Sequence, residues 1–210
     1  MTRSGFSRTF SIAFLVMAFA GTVTQLWGTA HAMSQSCDGK LQYGDNAISL
    51  APEAASKSPW CSAYIGEDMN SPLAKSVLRK CPIGTTCRIA GEFTGHGTFI
   101  WTKLTSVTPT KLALPGVDEL LSLCSSAASR PNGTAQCMAS FDAAFGLFLT
   151  ATYRQLRDRV SGNARKALVS EQTKWLADQS KSCAAQEADA KQTCRVGTTL
   201  ERIALLKNRR

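Results

Sequence analysis

The residue types most able to do chemistry in this 210-residue chain are eight cysteines and, beyond residue 32, a single histidine. Cys37, Cys61, Cys81, Cys87, Cys124, Cys137, Cys183 and Cys194 are even in number, and none stands in a Cys-x-x-Cys pair. That spacing fits neither a thioredoxin-like redox motif nor a zinc ribbon. With His96 as the one imidazole at hand, no metal set and no cofactor site follows from the pattern. Paired thiols then read as structural disulfides. Proximity along the chain joins Cys183 to Cys194 and Cys81 to Cys87, leaving Cys37, Cys61, Cys124 and Cys137 as candidates for the other bridges. Closing the short loop from Cys183 to Cys194 is worth about 3 kcal/mol in the chain-entropy picture.

His96 stands between Gly95 and Gly97, with Phe99 and Trp101 nearby. A nucleophile needs a base held by a third group, and neither a second histidine nor a Gly-x-Ser-x-Gly elbow accompanies it. A tight turn accounts for the Gly-His-Gly run better than a catalytic role does. Cross-strand packing likewise accounts for Phe99 and Trp101 better than a base-stacking platform. The pattern offers no catalytic residue, and the chain is expected not to be an enzyme.

Disulfides persist in oxidising compartments, and residues 1–32 supply a route to one. Arg3 and Arg8 give a positive start, residues 10–19 form a largely apolar run, and Ala30-His31-Ala32 provides the small residues of a cleavage site. Thr22, Thr24 and Gln25 weaken the apolar run as a bilayer anchor. The expectation is a cleaved signal peptide over residues 1–32, with the mature chain beginning at Met33. No Arg-Arg pair and no cysteine at the cleavage point appear, which argues for export unfolded and against a lipid anchor. A periplasmic or secreted location follows, the membrane being met only in transit.

These residues need elements to position them. Residues 86–93 and 98–107 alternate in polarity around Thr94-Gly95-His96-Gly97, predicting a hairpin with Cys87, Ile89 and Phe93 on one side of its first strand and Ile100, Thr102 and Leu104 on one side of its second. Residues 41–43 and 47–50 flank Gly44-Asp45-Asn46 and predict another. Ser71 before Pro72 caps a short helix to about Lys80 that buries Leu73, Val77 and Leu78. The simplest architecture for residues 33–107 is a compact barrel or curled sheet closed by that helix. Prolines at 109 and 115 and Gly116 mark a linker over residues 108–116.

Residues 117–210 read as helical. A short helix carries Leu120, Leu121 and Cys124 and breaks at Arg130-Pro131-Asn132-Gly133. Met138, Phe141, Phe145, Phe148, Leu149 and Leu156 then recur at three- and four-residue steps, giving a long helix over 134–160 with one apolar stripe. After Ser161-Gly162-Asn163, a helix over 164–183 places Ala164, Leu168, Gln172, Trp175, Leu176 and Gln179 near one face. Leu200, Ile203, Ala204 and the stem of Lys207 give the last helix its inner side. A buried Gln172 needs a partner, and Tyr153 on the facing helix is the expected one; Trp175 is expected to be a core anchor. The fold class expected is α+β: a small β-rich N-terminal domain with one short helix, followed by a disulfide-stapled antiparallel α-helical domain.

Several of these residues recur together in a known pattern. Cys124 with Ala127, Cys137, Leu149 with Tyr153, then Arg165, Ala167-Leu168, Gln172, Trp175-Leu176, Cys183, Cys194 and Arg202-Ile203-Ala204-Leu205-Leu206 stand in the order and register of one family. Over residues 120–206 the chain resembles the lysozyme inhibitor LprI-like family of exported bacterial proteins. Gly146, Thr150 and Gln179 depart from that pattern. The resemblance implies a non-enzymatic, protein-binding or inhibitory module with lysozyme or another envelope protein as partner. It makes Leu149, Tyr153, Leu168, Gln172, Trp175, Leu176 and Arg202 the signature residues, and leaves residues 33–107 without a role.

Charge sets a second expectation. The formal net charge is +9, or +7 without Arg3 and Arg8, and residues 113–210 hold 14 Lys or Arg against 9 Asp or Glu. Animal lysozymes are themselves strongly cationic, so like-charge approach would slow association. A basic exported protein could instead bind anionic envelope polymers or a membrane surface. The interleaved Asp158, Glu171 and Asp178 fit a solvated helix face better, and export argues against nucleic acid.

Overall fold

The computed structural model describes residues 33–44, 47–52, 61, 64–66, 69–94, 100–184 and 187–209. The expected signal peptide, the turn residues Asp45 and Asn46, and His96 with Phe99 lie outside the described residues. The architecture is α+β, a β-rich N-terminal part followed by helices, as the patterning predicts.

Five strands close a barrel. They are β1 (Met33–Gly44), β2 (Ala47–Pro52), β3 (Tyr64–Gly66), β4 (Thr86–Thr94) and β5 (Ile100–Lys111), with helix α1 (Pro72–Leu78) between β3 and β4. The strand order is β1-β2-β3-β5-β4, with β4 returning to β1. All pairings are antiparallel except β3 with β5. A five-stranded Greek-key barrel of this kind is the OB type, an architecture that by itself names no ligand. β1 serves two neighbours, pairing with β4 through its first part and with β2 through its last. Where the two pairings overlap stands Gly39, whose missing Cβ would collide with the Ala51 carbonyl. Leu41, Ile48, Leu50, Ile65, Ile89 and Phe93 fill the interior, following the period-two alternation of buried residues along a strand.

Both expected hairpins form: Gly44 faces Ala47 in register, and Thr94 faces Ile100. On β5, however, the side turned inward is that of Trp101, which lies 5.7 Å edge-on from Phe93, whereas Ile100 is exposed. The β4–β5 register shifts at Ala90/Gly91 and Glu92/Phe93, and such bulges reset which side chains face the core. β5 also continues to Lys111, through what the prolines suggest is linker. Pro109 is tolerated there because another register shift, between Thr86 and Cys87, leaves Thr110 unopposed. Only residues 112–116 connect the strand to the first helix of the second part.

α1 begins as its sequence predicts: the Ser71 hydroxyl accepts from the Ala74 N–H at 3.2 Å, and Pro72 occupies the first turn. It buries Ala74, Val77 and Leu78, with Leu73 half-buried. Cys37–Cys61 and Cys81–Cys87 staple the barrel.

The second part contains α2 (Val117–Leu123), α3 (Gly133–Arg159), α4 (Gly162–Ala184) and α5 (Ala188–Lys207). A 3-10 turn at Ser125–Ala127 follows α2, and the Cys124–Cys137 disulfide ties it to α3. Gly133 is required at the start of α3, since a Cβ there would overlap the Ala127 carbonyl oxygen. The apolar stripe of α3 is buried as its spacing predicts: Met138, Phe141, Phe145, Phe148 and Leu149. On α5 the inner residues are Val196, Thr199, Leu200, Arg202, Ile203 and Leu206. Ala204 is exposed, against expectation, because the helix turns a face centred on Val196, Leu200 and Ile203 toward α3.

One buried cluster runs through both parts. Tyr43 of β1 meets Phe141 of α3 edge-to-face at 5.1 Å, and Phe141 stacks toward Phe145 at 6.4 Å. Deleting the Phe141 ring should therefore leave a cavity bordered by both parts. Phe141→Ala is expected to cost about 3–5 kcal/mol and to lower the stability of barrel and helices together, read as one cooperative transition by near-UV and far-UV circular dichroism. Two separated transitions in the wild type would contradict this.

Candidate binding face on the outer helix

α4 is the outermost of the long helices. Of its 23 residues only Leu168, Gln179 and Cys183 are buried, so it is held by a few specific attachments rather than by a broad apolar stripe. At its C-terminal end the Cys183–Cys194 disulfide joins it to α5. One turn earlier, the Gln179 side-chain amide donates to the Arg195 carbonyl at 3.1 Å and to the Thr198 and Thr199 hydroxyls at 2.8 and 3.0 Å. α5 is in turn tied to α3, where Arg195 Nε donates to Asp142 Oδ2 at 2.7 Å.

The central attachment is Arg202. Its side chain is only 4% exposed. Nε donates to Gln172 Oε1 at 3.0 Å, Nη1 donates to Glu171 Oε1 at 2.6 Å, and the guanidinium lies 5.8 Å from the Trp175 ring centre. Arg209 completes the cluster by donating through both Nη atoms to the Glu171 carboxylate, at 2.7 and 2.6 Å. An amide oxygen and a carboxylate thus take Nε and Nη1 of the planar fork and an indole face meets its π side, while Nη2 is buried without a hydrogen-bond partner among the described residues.

The structure thus brings Leu168, Gln172, Trp175 and Arg202 together at the α4–α5 contact, while Leu149 is in the α3 core and Tyr153 is half-buried against it. The expected Gln172–Tyr153 pairing gives way to Gln172–Arg202, the arginine of the neighbouring helix donating to the amide oxygen. Gln179, not Gln172, is the buried amide. Glu171 and Arg209 were not legible as a pair from sequence. The signal that could have found them is the seven-residue interval between Arg202 and Arg209, which places Arg209, just past the end of α5, in line with the face that carries Arg202.

The bonds from Arg209 and then Arg202 hold the Glu171 carboxyl down at about 2, against an ordinary 4.5. A depressed carboxyl stabilises the fold fully above its ordinary pKa, and that contribution is lost as the pH falls through the folded value.

The side of α4 flanking these attachments carries exposed apolar side chains. Val169 and Leu176, seven residues apart and so on the same face, are 42% and 52% exposed. Val169 is flanked on this open surface by Gly162, Arg165, Lys166 and Ser170 of the same helix. Leu176 is expected inside together with Trp175; it faces outward because the α5 contact is centred on Leu168, Trp175 and Gln179, about a quarter-turn away. Ala164, placed on the same inner face by its spacing, is exposed as well. Compared with protein-family models, curated proteins and solved structures, the chain finds no match in any of the three.

Glu171→Gln is expected to destabilise the protein at neutral pH by about 1–2 kcal/mol, kept modest because the carboxylate is more than a third exposed. In a melting series the wild type should lose this increment between pH 4.5 and about 2, and the variant should show a flatter profile over the same window. Parallel profiles would contradict the assignment.

Proposed function

We propose that the protein is an exported, non-enzymatic binding module that presents the outer flank of α4 to a protein partner in the cell envelope. The observation that carries this reading is Leu176, a large apolar side chain 52% exposed on a helix otherwise fixed by a disulfide, a buried amide and a buried arginine. Isolated surface leucines are common. This one stands in line with Val169 on a helix whose backbone is held rigid, and a preorganised apolar helix face lowers the ordering cost of association. Four disulfides, with no helix among the described residues long and apolar enough to cross a membrane, support a periplasmic or secreted location.

Resemblance to the LprI-like family supports lysozyme, or another envelope protein, as the partner. Arg165 and Lys166 beside Val169 favour a partner surface that is apolar at its centre and acidic at its rim. The test uses the oxidised full chain against a panel of lysozymes and purified envelope proteins, with binding and residual muramidase activity measured at moderate salt. Leu176→Asp and Val169→Asp are expected to weaken binding at least tenfold, about 1.4 kcal/mol, with unchanged circular dichroism. Full affinity in both variants, or turnover of a substrate by the wild type, would overturn the proposal.

A further inference from the structure

The seam between barrel and helices carries a second feature, on residues that play no part in the α4 face. A crevice of about 220 Å³ opens where the end of α1, strand β5, the middle of α3 and the end of α5 meet. Arg79 and Lys80, just past the end of α1, and Lys207 of α5 line it together with Thr108, Thr152 and Gln155. None of its lining residues is acidic, and among the described residues none of the three cations takes part in an ion pair.

From this convergence we infer that the crevice is an anion site that takes a phosphate group. Each cation separately has an ordinary explanation, since Arg79 and Lys207 stand at helix C-termini, where positive charge is favoured. That account does not explain why three cations, two just past the end of α1 and one at the end of α5, share one concavity without a carboxylate among them. Lys207 sits 5.1 Å from the Phe148 ring centre. Desolvation there, and then repulsion from Arg159, lower its pKa from the ordinary lysine value, the condition that a bound anion relieves. The chemistry matches a tetrahedral oxyanion, whose several oxygens accept from guanidinium, ammonium, hydroxyl and amide donors at once. The volume is below that of common organic-ligand pockets and admits a headgroup-sized ligand. The site stands whether or not α4 binds a protein.

The test titrates the oxidised full chain with glycerol phosphate, followed by calorimetry. Arg79→Gln/Lys80→Gln and, separately, Lys207→Met are each expected to weaken binding about tenfold or more. Lys174→Gln/Lys181→Gln, which removes the same charge as the double variant from α4, should change it less than twofold. Near-UV circular dichroism controls for Lys207→Met, whose loss from Phe148 could disturb packing; the Arg79 and Lys80 side chains are exposed and carry no such risk. A parallel arm uses phosphatidylglycerol vesicles against phosphatidylcholine vesicles. Vesicle binding lost in the same variants makes the phosphate a lipid headgroup, whereas glycerol phosphate binding without vesicle binding makes it a soluble or glycan-borne phosphate. Absence of saturable glycerol phosphate binding at millimolar concentration, or equal weakening in the α4 control, overturns the site.

Discussion

A buried guanidinium is costly without partners, and the bonds that Arg202 makes through Nε and Nη1 fix the outer part of this protein. Removing one partner of a buried charge typically costs several kcal/mol. Arg202 therefore confines α4 to the register in which Glu171, Gln172 and Trp175 meet it. A helix with three buried residues in 23 would otherwise have little apolar area to resist sliding or lifting. The Cys183–Cys194 bridge pins the end of α4 that Arg202 does not reach. Together they leave a rigid helix with exposed apolar side chains, which is the physical basis for reading the protein as a contact surface.

Rigidity at α4 depends on what lies beneath it. α5 is anchored to α3 by its apolar side and by the Arg195–Asp142 pair, and α3 joins the barrel through Phe141 and Tyr43. The barrel is thus part of the support for the outer helix. It also provides one wall of the basic seam crevice, which neither part could form alone. The α4 flank and the seam draw on different elements, so the molecule offers an apolar surface with a basic rim in one place and a polar, cationic recess in another.

Much of this was legible in the residues. The limits of α3 and α4 followed from apolar spacing and from the Pro and Gly breaks, and the barrel hairpins from alternation around glycine-rich turns. Two disulfides followed from proximity alone, because each closes a short loop within one part. What was not legible depends on register and tertiary packing. β5 runs through Pro109 because a bulge absorbs it, and that bulge has no local sequence mark. Leu176 sits on a plausible inner face by count, but α4 packs chiefly on α5, and a helix with one main neighbour buries a narrower stripe than one inside a bundle; Ala204 is outside because α5 turns Val196, Leu200 and Ile203 inward. Gln172 finds Arg202 and not Tyr153 because the choice between two partners is made by helix approach, not by either residue's type. The seam crevice was invisible for the same reason, its cations being distributed between residues 79 and 207.

Backbone amide exchange tests the clamp on α4 most directly. In the oxidised wild type the middle of α4, around Glu171 to Trp175, should exchange as slowly as the facing turns of α5. In Arg202→Met, which keeps an apolar stem but removes the charge-assisted bonds, protection should fall across the middle of α4 while α3 and the barrel keep theirs. Rapid exchange of α4 in the wild type, or an Arg202→Met variant with α4 protection unchanged, would contradict the account.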